Sequence, residues 1–170
     1  MRIIQILAAV VLIALAGAVG WHQYQLANPQ TIPMPAVALS PVEGEPDFDL
    51  QDISTASLVS VFSADCIECR SEMPLLLALQ AEGVALYGIA TGTGADDALV
   101  FLDDTGNPFV GLMLADRPAI TAAFGETSLP LTLVLSNEGA ILTMIEGAID
   151  VSVLRNQIYP LLDRQARRVD

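Results

Sequence analysis

The sequence predicts an α/β domain, a mixed β-sheet flanked by helices, preceded by a single N-terminal transmembrane helix. Three observations predict it. Short apolar runs alternate with helical patterns in the order β-α-β-α-β-α-β-β-α, which indicates a mixed sheet sandwiched by helices. Residues 3–20 are apolar apart from Gln5. Between the two, residues 23–46 hold Pro29, Pro33, Pro35, Pro41 and Pro46, a spacing that suits an extended tether rather than a helix or a central strand.

Residues 1–22 read as the membrane anchor. About 18 apolar residues reach the lower length limit for crossing a hydrocarbon core of roughly 30 Å. Trp21 and Tyr24 would sit at the far headgroup level, beside His22. Arg2 precedes the span, and no Lys or Arg follows until Arg70, so the positive-inside rule leaves the N-terminus cytoplasmic and exports the rest. A cleaved signal peptide is the alternative, because Ala14-Leu15-Ala16 and Ala16-Gly17-Ala18 resemble cleavage sites. The single arginine of the n-region and the length of the apolar run argue against cleavage.

The folded domain is expected over residues 47–170. Residues 58–62 (LVSVF) form a short buried-strand run, followed by a leucine-rich helix over 66–81 with Pro74 in its middle. A second strand covers 84–89, and a second helix 96–104 places Ala98, Phe101 and Leu102 on one face. A third strand spans 110–114, and a short helix follows Arg117-Pro118, where the proline suits the first turn. Residues 131–135, the turn Ser136-Asn137-Glu138-Gly139 and residues 140–145 make an antiparallel hairpin. Asp150 caps a final helix running towards Arg164. Arg164, Arg167 and Arg168 complement the negative end of its dipole.

Composition narrows the chemistry. Of 170 residues, 20 are acidic and 7 basic, a formal charge of −13, and lysine is absent. Nucleic acid is excluded as a partner by the missing basic footprint, and Schiff-base chemistry by the missing lysine. One histidine, His22, builds neither a histidine-rich metal site nor a Ser–His–Asp triad. Two cysteines cannot staple a small secreted fold. Carboxylate chemistry, two-cysteine chemistry or no chemistry remain. Gly92-Thr93-Gly94 imitates a dinucleotide loop, but Asp96 and Asp97 would repel a pyrophosphate at the helix start.

The cysteines fall as Cys66-Ile67-Glu68-Cys69, a C-x-x-C at a strand-to-helix junction. There the first thiol meets unsatisfied backbone N–H groups and the positive end of the helix dipole, which favour thiolate. Cys69 lies one turn inward, within reach of a mixed disulfide formed at Cys66. Half of a zinc site shared with a second chain and a static structural disulfide are the competing readings. Leu129-Pro130, ahead of a strand, is the candidate cis-proline element that faces the C-x-x-C and offers backbone groups to a substrate. Asp65 and Glu68 are candidates for redox tuning. A carboxylate about 6 Å from a thiolate opposes it by on the order of 1 kcal/mol in a partly solvated site. That makes the disulfide harder to reduce and the dithiol a better electron donor, with about 30 mV corresponding to roughly 1.4 kcal/mol.

These residues together resemble the membrane-anchored thioredoxin-fold proteins of cytochrome c maturation, the DsbE/CcmG thiol:disulfide interchange family. The resemblance runs through Cys66-Ile67-Glu68-Cys69-Arg70 with Glu72 and Pro74, Leu86-Tyr87-Gly88-Ile89, and Gly106-Asn107-Pro108-Phe109. It continues through Gly125, Pro130, Thr132, Gly139, Gly147 and Ile158-Tyr159-Pro160. It implies a thioredoxin-like fold, a redox disulfide Cys66–Cys69 with Cys66 as nucleophile and Cys69 as resolving thiol, and Pro130 as the substrate-presenting cis-proline. It further implies reduction of apocytochrome c or its haem-ligation partners in the periplasm, a membrane disulfide reductase as donor, a lipid bilayer around the anchor, and no cofactor. The chain departs from the family pattern at Asp65, where tryptophan is usual, at Ile67-Glu68, and at Leu131 after the cis-proline. Two other functions fit the same residues: reduction of another exported cysteine pair, as in copper-site assembly, and a tethered scaffold with a static disulfide.

Overall fold

The strand SLVSVF is buried along its whole length and sits inside the sheet. A strand covered on both faces needs apolar side chains on both, which explains a continuous run in place of alternation. Leu58 and Phe62 enter one core layer, Val59 and Val61 the other.

A computed structural model of the chain describes residues 17–18 and 31–168. The chain divides into two compact units, Met1–Thr31 and Ile32–Asp170. Of the first, only Gly17 and Ala18, helical and exposed, and the exposed Thr31 are described. The anchor expected over 1–22, those two residues apart, and the first part of the tether lie outside the described residues. Among the described residues no helix is long and apolar enough to cross a membrane.

In the second unit the elements are β1 (Ser40–Pro41), β2 (Ser57–Phe62), α1 (Ile67–Ala81), β3 (Ala85–Thr91), α2 (Ala95–Thr105), β4 (Gly111–Ala115), α3 (Arg117–Phe124), β5 (Leu131–Leu135) and β6 (Ile141–Glu146). A last helical run joins α4 (Val151–Val153), a π-helical stretch (Leu154–Ile158) and α5 (Tyr159–Ala166). The six-stranded sheet has the order β1-β4-β3-β2-β5-β6. Strands β2, β3 and β4 are parallel, while β5 runs antiparallel to β2, β6 to β5 and β1 to β4. Helices α1 and α2 and the C-terminal run cover one face through Met73, Leu76, Phe101 and Ile158. Ile120 of α3 and the N-terminal segment around Leu50 cover the other.

Two features differ from the sequence reading. The proline-rich stretch is not a free tether up to residue 46. Ile32 exchanges two backbone hydrogen bonds with Ile141, at 2.9 and 2.8 Å, and Ser40–Pro41 forms the edge strand. Val42 is only 2% exposed, and Met34, Val37 and Leu39 pack on the core. Proline is barred from a central strand because it lacks a donor, but an edge strand has a side on which no donor is needed. The second difference lies in the final helix. Asp150 caps it as expected, accepting from the Val153 N–H at 2.9 Å. Its middle is nonetheless π-helical, with the Tyr159 N–H reaching back to the Leu154 carbonyl. Pro160 has no N–H to give the Asn156 carbonyl and its ring crowds that group, so the ladder widens by one residue there.

The layer above β2 is closed by a ring stack: Phe62 lies 5.3 Å from Phe101 and 5.4 Å from Phe109, centroid to centroid. Gly88 on β3 makes room for it, since a Cβ there would stand 2.7 Å from Cδ2 of Phe109. Gly88→Ala is therefore expected to destabilise the protein by about 1–3 kcal/mol through overpacking. A urea midpoint equal to that of the wild type would show that the Phe109 ring yields without cost.

Candidate active site

Strand β2 ends at Phe62, and the chain turns once before α1, with the Cys66 N–H donating to the Ser63 carbonyl at 3.1 Å. Cys66 is the N-cap of α1 in an extended conformation, φ −87° and ψ 115°. Its Sγ accepts a hydrogen bond from the Cys69 N–H at 3.0 Å. That donor is one of the orphan N–H groups every helix leaves at its start, and the same group stabilises a thiolate once the pair is reduced.

Cys66 and Cys69 are joined in a disulfide, with their Cα atoms 5.2 Å apart. The two sulfur environments differ. Cys66 is half-buried, whereas Cys69 is 0% exposed and belongs to the core. A partner thiol or disulfide can reach the first sulfur and not the second. Ile67, between them, is 80% exposed.

The peptide bond Leu129–Pro130 is cis. The sheet brings it to the cysteines, because β5 pairs antiparallel to β2 with Val61 opposite Leu131. Pro130 therefore stands at the end of the sheet where Cys66 emerges. Pro130 is buried, and its carbonyl accepts from the Gly147 N–H at 2.8 Å. Leu129 is half-buried, and neither its N–H nor its C=O has a hydrogen-bond partner among the described residues.

Asp65 and Glu68 flank Cys66 in the chain and are exposed, so water and salt screen their action on the sulfurs. Arg70, next to Cys69, is drawn towards α2: it pairs with Asp104 at 3.8 Å, and its guanidinium lies 5.0 Å from the Phe101 ring centre.

One residue of the site was not assigned a role from sequence. Glu72 follows Cys69 by three residues on α1, so the two side chains share a helix face. It is only 1% exposed. The carboxylate accepts from Ser60 Oγ at 3.4 Å on one oxygen and from the Ile149 N–H at 3.2 Å on the other. Burial pushes its pKa from the ordinary 4.5 up to about 7, against the lowering effect of the Ile149 and Ser60 hydrogen bonds. Thr132, which pairs with Ser60 across the ladder and so shares its face, has a buried hydroxyl with no partner among the described residues. The signal in the sequence is an acidic residue on a helical stripe that otherwise reads Cys69, Met73, Leu76. A carboxyl that titrates near neutrality one turn from the inner thiol is matched to proton exchange with it.

No family model matches the chain. The chain is 31% identical over 163 residues to the thiol:disulfide interchange protein HelX of Rhodobacter capsulatus, covering 89% of this chain and 92% of that protein. It is 30% identical over 127 residues to the thiol:disulfide interchange protein DsbE of Pseudomonas fluorescens, covering 74% and 71%. Among solved structures, a thioredoxin-family thiol:disulfide interchange protein of Chlorobium tepidum matches with a TM-score of 0.63 at 23% identity, over 78% of this chain and 97% of that one. That likeness shows the thioredoxin-like fold.

Glu72 also makes a pH prediction. Its pKa is raised in the fold, so the unfolded chain loses this proton first, and stability falls as pH rises from about 4.5 to about 7. The whole effect is at most about 3 kcal/mol. Urea titrations of oxidised wild type and Glu72→Gln should agree at pH 4 and separate progressively up to pH 7, the variant being the more stable. A pH-independent difference would contradict a buried carboxyl titrating in this range.

Proposed function

The chain belongs to the family of DsbE-type thiol:disulfide interchange proteins, thiol:disulfide oxidoreductases of thioredoxin-like fold, and from that membership we propose that it reduces disulfides of apocytochrome c, or of its haem-ligation partners, during cytochrome c maturation. In this reading the N-terminal segment anchors it in the bacterial inner membrane and the domain works in the periplasm. A membrane disulfide reductase restores its dithiol, and thiol exchange itself requires no cofactor.

The observation that carries the proposal is the asymmetry of the disulfide: an accessible Cys66 at a helix N-cap, an enclosed Cys69 backed by Glu72, and a cis-proline edge beside them. Starting from the dithiol, the Cys66 thiolate attacks one sulfur of the substrate disulfide. A mixed disulfide forms and the other substrate sulfur leaves as a thiolate. Cys69 then gives its proton to the Glu72 carboxylate and attacks Cys66 Sγ, which releases the second substrate sulfur. Two electrons pass to the substrate, its two thiolates take their protons from Glu72 and from water, and the Cys66–Cys69 disulfide remains. Leu129 offers its backbone N–H and C=O to an extended substrate segment, the mode in which a strand adds to a sheet edge.

Asp65 and Glu68 bias the pair towards giving electrons by disfavouring the thiolate. Replacing both, Asp65→Asn with Glu68→Gln, should raise the reduction potential by about 30 mV or less, because both groups are exposed. A wild-type potential near the roughly −120 mV of a strong oxidant would remove the reductant reading.

Cys66→Ser is expected to abolish reduction of an oxidised Cys-x-x-Cys-His peptide. A strain lacking the gene is expected to lose its c-type cytochromes, and an added small thiol should restore them in part. Retention of those cytochromes in the deletion strain would refute the maturation role even where the dithiol is active.

A further inference from the structure

The stretch that leads into Pro130 has no regular structure, yet two charged side chains from separate elements hold it. Arg117, at the start of α3, donates from Nη2 to the Thr127 carbonyl at 2.6 Å. Glu146, the last residue of β6, accepts through a single carboxylate oxygen from both the Ser128 N–H and the Ser128 hydroxyl, each at 3.2 Å. The ladder determines where this carboxylate stands, because Glu146 pairs with Leu131, the first residue after the cis-proline. On the far side, the Pro130 carbonyl is tied to the Gly147 N–H at 2.8 Å. Leu129 is thus suspended between anchored neighbours, with its own peptide groups unpaired among the described residues. Arg117 and Glu146 are both exposed, so core packing does not account for them.

We propose that Glu146 and Arg117 are positioning residues for polypeptide substrates, holding Leu129 extended so that a segment next to the substrate cysteine can pair with it. The proposal rests on the reading of Leu129-Pro130 as the substrate-presenting edge. Backbone pairing of this kind is weakened when the edge must first be ordered, so the brace acts on affinity and leaves the reactivity of the dithiol alone. The substrate class it favours is a disulfide within an extended chain, as opposed to a small disulfide with no backbone to pair.

The test is single-turnover reduction by the full-length protein, with an oxidised Cys-x-x-Cys-His peptide and, in parallel, bis(2-hydroxyethyl) disulfide. Glu146→Ala is expected to raise the half-saturating peptide concentration about tenfold, from the loss of hydrogen bonds to a charged acceptor, with the limiting rate changed less than about twofold. Arg117→Met should behave in the same way. Glu146→Gln keeps an acceptor oxygen and should recover most of the affinity. The rate with the small disulfide should be the same in all of them. Unchanged half-saturation in the Ala and Met variants would overturn the proposal. So would an equal loss with the small disulfide, because the dithiol itself would then be disturbed. Wild-type protein that reduces the small disulfide but shows no saturation with peptide would remove the presenting-edge reading, and the brace with it.

Discussion

The pairing of β5 against β2 is the constraint on which the site depends. Strand β2 delivers the chain to Cys66, and β5 departs from Pro130. These ends meet because the strands are antiparallel with Val61 opposite Leu131. A slip of one residue would turn every side chain of β5 to the other face, sending Leu131, Leu133 and Leu135 into the wrong core layer. Burial of both faces therefore specifies the register, and the register places a cis-proline beside a disulfide more than sixty residues away in the chain. The catalytic arrangement follows from core packing.

The same packing accounts for the asymmetry of the thiols. As N-cap of α1, Cys66 lies at the end of the helix, where its sulfur meets the Cys69 N–H and remains within reach of solvent. One turn further on, the helix buries Cys69 in the core and sets Glu72 against Ser60 and the Ile149 backbone. Taking a carboxyl out of water is costly, and two hydrogen bonds offset only part of that cost, so its pKa moves towards neutrality. A group that weakens the fold above pH 4.5 is matched by its raised pKa to proton exchange with the neighbouring Cys69 thiol. Stability and function pull apart at this position, as they often do where a buried polar group serves chemistry.

Much of the architecture was legible in the chain because local rules and tertiary demands agree there. The apolar runs at 58–62 and 131–135, the Asp150 cap and the turn before Gly139 are all where the pattern puts them. Gly139 has φ +74° and no space for a Cβ against the Ile53 carbonyl, so its residue type states its conformation. Where one residue type permits two environments, the pattern misled. Pro33, Pro35 and Pro41 signal extended backbone, but solvent-exposed tether and sheet-edge strand are both extended. The decision came from Val42 and Leu39, whose burial depends on residues far along the chain.

By itself the sequence determined the chemistry that is possible: two cysteines one turn apart at a helix start, no lysine, a single histidine outside the domain, and a proline ahead of a strand. It also determined the order of elements, because hydrophobic period and capping residues act within a few neighbours. Only the tertiary structure decided which sulfur is reachable, that Glu72 is buried beneath the inner one, and that Arg117 and Glu146 close on the residues before Leu129. These are relations between side chains brought together by the sheet. Burial and electrostatic environment are set by whatever lies on the facing element, which spacing along one chain does not record.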